Sequence, residues 1–322
     1  MKSVELLLQP VSAGDLIDRA IRLYRRHFGT LLAITALPAL IAVLGGLLTV
    51  FPDDDAGLSI LGSLLTYSLS PVLNLMLIGG LTKVVADHVM QQQPISFVRT
   101  WQVVLHHFGQ LAGVAVTGWL LLPLTIIMVG GVGFISMTFL AGLTSLIVAP
   151  MFQGSSNLWP IGVAGGVISG IVIIIGGLLF LEVYGRVMMM PAAAVIEQQP
   201  VGSAISRGIR LGAKNALTVL AVLAFEYCLA WSIALALGVF LGVDAAIAGL
   251  SLQNMPTQTV ALTFSILLQF GNIISAPVAA VAFALLYFDN RIRKEGLDVE
   301  WLAQQIPFAL PSTATMTMVE EP

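Results

Sequence analysis

Charge is what this chain has least of. Asp, Glu, Lys and Arg supply 10% of its 322 residues and hydrophobic side chains 57%, whereas a soluble domain carries about 25% charge. A water-facing globule is excluded. Cysteine is nearly absent: Cys228 stands alone, so no internal disulfide forms and the redox compartment leaves no mark. The long apolar runs do not alternate, which excludes the strands of a membrane barrel and leaves helices. The sequence holds no Walker A loop, dinucleotide fingerprint, H-E-x-x-H pair or nucleophile elbow, and the reaction classes resting on them lose their support. Its histidines, at 27, 88, 106 and 107, are not spaced as ligand pairs on one helix face, so neither a metal nor another cofactor is expected. Basic residues do not interleave with aromatics on a polar surface, which argues against nucleic acid. Met1 to Pro10 has only a three-leucine apolar core, too short for a secretory signal, so the first long apolar helix is expected to direct insertion.

What is present is a recurring unit. Residues 12–28 read as a short amphipathic helix, capped by Ser12 or Asp15, because a side-chain oxygen there can accept from the free N–H groups of the first turn. Leu16, Ile17, Ala20, Ile21, Leu23, Tyr24 and Phe28 recur at helical spacing,. Arg19, Arg22, Arg25 and Arg26 are expected to reach anionic headgroups while the apolar stripe sinks into the acyl boundary,. Laid on a later stretch, Ile17, Arg19, Ile21, Arg22 and Leu23 fall on Ile205, Arg207, Ile209, Arg210 and Leu211, and Arg26 falls on Lys214. A looser copy sets Arg19 on Arg99 and His27, Phe28 and Gly29 on His107, Phe108 and Gly109. Gln92-Gln93-Pro94 is echoed by Gln198-Gln199-Pro200.

Each copy leads into apolar runs of about 20 residues, enough to cross a hydrocarbon core. The spans read as 30–51, 58–82 continuing to Met90, 108–129, 160–182, 216–241 and 258–287. Asp53, Asp54 and Asp55 mark an aqueous turn between the first two, and a second outer loop is expected over 242–257, with Asp244 and Asn254. Pro38, Pro71, Pro123 and Pro277 are placed to bend their helices around a central cavity, and Gly45-Gly46, Gly79-Gly80, Gly113, Gly118, Gly165-Gly166, Gly170 and Gly176-Gly177 to let helices approach closely,. The resulting fold is an all-α integral membrane protein of about six transmembrane helices, as three repeats of amphipathic surface helix plus helical hairpin. The polytopic domain spans 1–296, with repeats near 12–90, 94–190 and 200–290, and 297–322 adds a short helix and a polar, disordered tail.

Basic residues cluster at 19–26, 83, 99, 186, 207–214 and 291–294, and the other inter-helix segments carry no Lys or Arg. The positive-inside rule puts every cluster, and both termini, in the cytoplasm. An even number of crossings must then separate Arg99 from Arg186. The apolar run 134–149, opened by Gly130, Gly131 and Gly133 and closed by Pro150, is therefore expected not to cross. It would continue a broken helix, re-enter, or cap the outer face.

Glu226 is the costly residue, an acid near mid-depth of the fifth span; a carboxylate there costs on the order of 2–3 kcal/mol on insertion scales and marks function by default. The alternative is a hydrogen-bonded carboxyl that ties helices together, with Asn74, Gln269 and Asn272 as partners from other spans,. Glu182 and Arg186, four apart, are placed to form an ion pair,. Headgroup contact is assigned to Arg19, Arg22, Arg26, Arg99, Arg207, Arg210 and Lys214. The function expected is a non-enzymatic scaffold or accessory that binds membrane lipid, a protein partner or a second copy of itself. The alternative is a small transporter or permease component using Glu226.

Pro191 to Glu197, then Ala204 to Leu211 before a span, and the closing Leu285 to Gly296 resemble the membrane domain of some glycerophosphoryl diester phosphodiesterases and its stand-alone bacterial relatives. That resemblance implies six helices in a bacterial plasma membrane. The phosphodiesterase activity of the two-part proteins lies in a separate soluble barrel, and no residue of that barrel is matched here.

Overall fold

A computed structural model of the chain describes residues 11–50, 56–91, 93–147, 159–247 and 257–296. Among these residues every regular element is helical. Six helices are long and apolar enough to cross a membrane: Phe28–Thr49, Ala56–His88, Phe108–Gly131, Gly170–Ile196, Ala216–Gly242 and Thr263–Glu295.

In chain order, α1 (Ala13–Arg26) leads into α2 (Phe28–Val50). Next come α3 (Ala56–Leu64), a π-helical turn (Leu65–Leu69) and α4 (Ser70–Gln91) in one line. α5 (Phe97–His106) leads into α6 (Phe108–Ile147), and α7 (Trp159–Ile196) returns. α8 (Val201–Gly212) precedes α9 (Ala216–Ile247), and α10 (Thr257–Glu295) closes the bundle. Hairpins α6–α7 and α9–α10 pack along their lengths, as does α2 with the α3–α4 line.

The core lies at one end, where the basic residues gather. Leu77, Leu81 and Val85 of α4, Met189, Ala193 and Ala194 of α7, and Val281, Ala284 and Tyr287 of α10 are almost fully buried. Three short helices sheathe these ends. α5 lies on α4, α8 on α7, and α1, from the other end of the chain, on α10. The Val11 N–H meets Asp289 at 2.9 Å and the Tyr24 hydroxyl meets the Ile274 carbonyl at 2.9 Å. α1 therefore runs antiparallel to the last turns of α10 for about 20 Å.

Close approach is built from small residues. Ala204, Gly208 and Gly212, four apart, face α7, and a Cβ on Gly208 would lie 2.7 Å from the Met190 Cα and 2.8 Å from its nitrogen. A Cβ on Gly45 or Gly62 would lie 2.6 Å from the other's carbonyl oxygen. Gly79, Gly113 and Gly118 touch side chains of neighbouring helices, whereas Gly46, Gly170 and Gly177 face open space. Pro71 has no N–H for the Tyr67 carbonyl four residues before it. The chain answers with the π-helical turn, in which Ser70 N–H bonds Leu65, and the Trp119 indole on α6 donates to Tyr67 O at 2.7 Å.

The structure corrects the expected breaks. Residues 134–147 continue α6 without interruption through Gly130, Gly131 and Gly133, since glycine costs a helix only about 1 kcal/mol and the surrounding apolar sequence offers the backbone no competing partner. Of the expected alternatives the run takes the helical continuation, unbroken, and the candidate spans on either side of it are Phe108–Gly131 and Gly170–Ile196, the second containing Arg186. α9 likewise extends over 242–247, into the expected outer loop. The expected short helix at 297–305 lies outside the described residues.

Candidate functional site

At the basic end, a carboxylate on each of α4, α7 and α10 ties its helix to the sheathing helix beside it. Asp87 on α4 holds Lys83 at 3.2 Å and Arg99 of α5 at 2.8 Å. Glu197, at the end of α7, accepts from Arg207 of α8 at 2.7 Å and from the Tyr287 hydroxyl of α10 at 2.8 Å. Asp289 on α10 accepts from the Val11 N–H, just before α1, and from Arg293 at 2.8 Å. Arg207 also reaches Glu295 at 2.7 Å, and Arg291 bonds Glu295 at 3.3 Å. Burial opposes the charge on Arg207, but its hydrogen bond to Glu197 and the charges of Glu197 and Glu295 prevail and raise its pKa. Charged, hydrogen-bonded pairs of this kind are the strong ones. Lys294 donates to the Leu211 and Ala213 carbonyls at 2.7 Å each, which satisfies the open C-terminus of α8.

The residues assigned to headgroups divide accordingly. Arg99 and Arg207 are turned inward onto carboxylates, and Arg22 pairs with Asp18 on its own helix. Arg26 and Lys214 are exposed, Arg19 is half-buried, and Arg210 is 70% exposed with Glu295 at 3.9 Å. Lys214 takes a positive φ of 65° and its N–H donates to Glu182 at 2.7 Å. Glu182 accepts in addition from Arg186 at 2.9 Å.

The apolar stripe of α1 is a correction. Leu16, Ala20 and Tyr24 are buried against the protein, and the outward residues are Asp15, Asp18, Arg22, Arg25 and Arg26. The stripe packs on α10 and α9, with Ile17, Ile21 and Leu23 half-buried and Phe28 at its end 47% exposed. Tyr24's hydroxyl, with its pKa pushed up to about 12 by burial, is neutral and donates to Ile274.

Glu226 is half-buried on α9, near Tyr184 of α7 and its neighbour Tyr227. No hydrogen bond joins it to Asn74, Gln269 or Asn272. Asn74 is exposed, and Gln269 lines a cavity of about 220 Å³ with Thr49, Thr66 and Ser265 between α2, the π turn and α10. Backbone N–H groups of His27 and His107 close α1 and α5 by bonding Leu23 O and Val103 O at 3.1 Å. His27 also stacks edge-on to His88 at 5.1 Å. Burial foremost, then the charges of His88 and Arg26, lower the His27 pKa.

Asp87 is what the sequence reading missed. It is the lone acid between Asp55 and Glu182, four residues after Lys83, and that isolation beside a basic neighbour was the available signal. Among the described residues, no three His, Cys, Asp or Glu side chains converge to hold a metal ion. No protein-family model, curated protein or solved structure matches the chain.

Proposed function

We propose that the chain is a multi-pass protein of a bacterial plasma membrane, three repeats of a sheathing helix and a hairpin, with its basic end and both termini in the cytoplasm. It acts as a non-enzymatic scaffold that gathers anionic lipid, or a partner carrying similar charge, around that end. One observation carries this reading. The basic end has its internal charges satisfied by Asp87, Glu197, Asp289 and Glu295, yet Arg25, Arg26, Arg210 and Lys214 remain exposed at its rim. Cations beyond those the fold consumes are available for headgroups, each worth about 1 kcal/mol near an anionic surface. The resemblance of residues 191–211 and 285–296 to the phosphodiesterase-associated membrane domain supports the same placement. Native mass spectrometry of the purified chain should count more retained phosphatidylglycerol than phosphatidylcholine. Changing Arg25, Arg26, Arg210 and Lys214 together to Gln should abolish that preference; equal retention before and after sinks the proposal.

A second reading, a small transporter, rests on Glu226, whose half-buried carboxylate lies in an apolar helix without a basic partner among the described residues. Glu226→Gln should then abolish a proton-coupled flux in proteoliposomes while leaving the melting temperature unchanged. Simple destabilisation favours the scaffold.

A further inference from the structure

The three sheathing helices are alike in position and differ in what they show outward. α1 presents Asp15, Asp18, Arg22, Arg25 and Arg26, and α8 presents Ser203, Ser206 and Arg210 with one large apolar residue, Ile209, 40% exposed. α5 presents no exposed charge. Its one cation, Arg99, is folded onto Asp87, and its outward face is led by Phe97, Val98 and Leu105, with Val98 62% and Leu105 66% exposed. The polar residues among them, Gln102 and His106, are the kind tolerated at a water–lipid boundary,.

This apolar face does not end with α5. His107 N–H closes α5 on the Val103 carbonyl at 3.1 Å, and the His107 carbonyl opens α6 by accepting from Leu111 N–H at 2.9 Å, so the two helices meet at one non-helical residue with no loop between them. Val98 and Leu105 on α5 are followed directly by the exposed Phe108 that opens α6, and from there Val116, Leu120 and Leu124 recur at spacings of eight and four residues, one face of that helix. On α1 a junction of the same kind falls at His27, but the outward face there is charged. An uncharged apolar strip joined end to end with an apolar span, on one helix of three, fits a continuous apolar surface and not a separate patch.

We propose that the outward face of α5 rests in the headgroup–acyl boundary of the bilayer, while the outward faces of α1 and α8 lie above that boundary, with only their arginine side chains reaching the headgroups. The protein is thereby seated unevenly, with the bilayer surface reaching higher on the α5 side. The occupant is lipid. This rests on the reading of α6 as a membrane span, and the test separates the two.

In a Cys228→Ala background, single cysteines replace Val98, Leu105, Asp18, Ser206 and Leu120 and are labelled with bimane in the full chain, reconstituted in phosphatidylglycerol–phosphatidylcholine vesicles. Quenching by lipids brominated near the glycerol end of the acyl chain is compared with quenching by aqueous iodide. Probes at 98 and 105 should be quenched by brominated lipid severalfold more than those at 18 and 206, and less by iodide. If position 120 is quenched by lipid while 98 and 105 behave like 18 and 206, the α5 proposal fails and the span stands. If 98 and 105 are shielded from both quenchers, a protein covers the face and the proposal also fails. If 120 itself is open to iodide and blind to brominated lipid, the span reading falls and takes the proposal with it.

Discussion

Arg207 sits between two carboxylates from different helices, 2.7 Å from Glu197 and 2.7 Å from Glu295, and its removal would leave both facing each other in a half-buried site. Arg207→Met is expected to cost about 1–3 kcal/mol, the partial exposure keeping it below a fully buried pair. Adding Glu197→Gln should restore part of the loss; thermal unfolding in detergent reads both. Gly208 offers a sharper contrast. A Cβ there meets the Met190 backbone, which has no rotamer to turn, so Gly208→Ala should lower stability by about 1–3 kcal/mol as overpacking. Gly202, on the same helix with nothing within 4 Å, should gain up to about 1 kcal/mol from the same change. His27 carries a pH dependence of definite sign. Its native pKa is lowered by burial, then by His88 and Arg26, so below about pH 6.5 the unfolded chain binds a proton the folded one resists. Stability should be complete above that pH and fall as pH drops toward the lowered native value, and His27→Gln should flatten the fall. At this scale the sequence was legible wherever spacing alone decides contact, as for Glu182 and Arg186. It was silent where the partner comes from a distant helix: nothing in the spacing of Glu197 and Tyr287 foretells their hydrogen bond.

Helices were the most legible level. Runs of about 20 apolar residues have one physical solution in a medium without water, and Ser12 caps α1 through the hydroxyl group that its position suggests. Glycine and proline signals were harder to read, since neighbours decide their effect. Gly130, Gly131 and Gly133 leave α6 unbroken, whereas Pro71 reshapes its helix into a π turn that needs Trp119 to serve the Tyr67 carbonyl. Trp119→Phe should therefore cost about 0.5–1.5 kcal/mol, the loss of one hydrogen bond to an exposed carbonyl,. In a Pro71→Ala background, where a backbone N–H returns, the same change should cost less. Equal losses in a double-mutant cycle on thermal stability would show that the indole bond does not answer the proline. The direction of the α1 stripe was not legible either, because an amphipathic pattern states that one face is covered and not whether protein or lipid covers it.

For the whole molecule, the ends of α4, α7 and α10 form a core that helices α5, α8 and α1 wrap, the last from the far terminus. Chain closure of that sort gathers the basic clusters of the described residues at one end, six helices are long and apolar enough to cross a membrane, and the proposal puts this end on one side of a bilayer. The measurement that reaches this claim most directly is sided cysteine labelling in sealed vesicles of known orientation. Asp54 and Ser206 are each changed to Cys in a Cys228→Ala background. Position 206 should react with an impermeant maleimide only from the cytoplasmic side and position 54 only from the opposite side. Labelling of both from the same side would contradict the account.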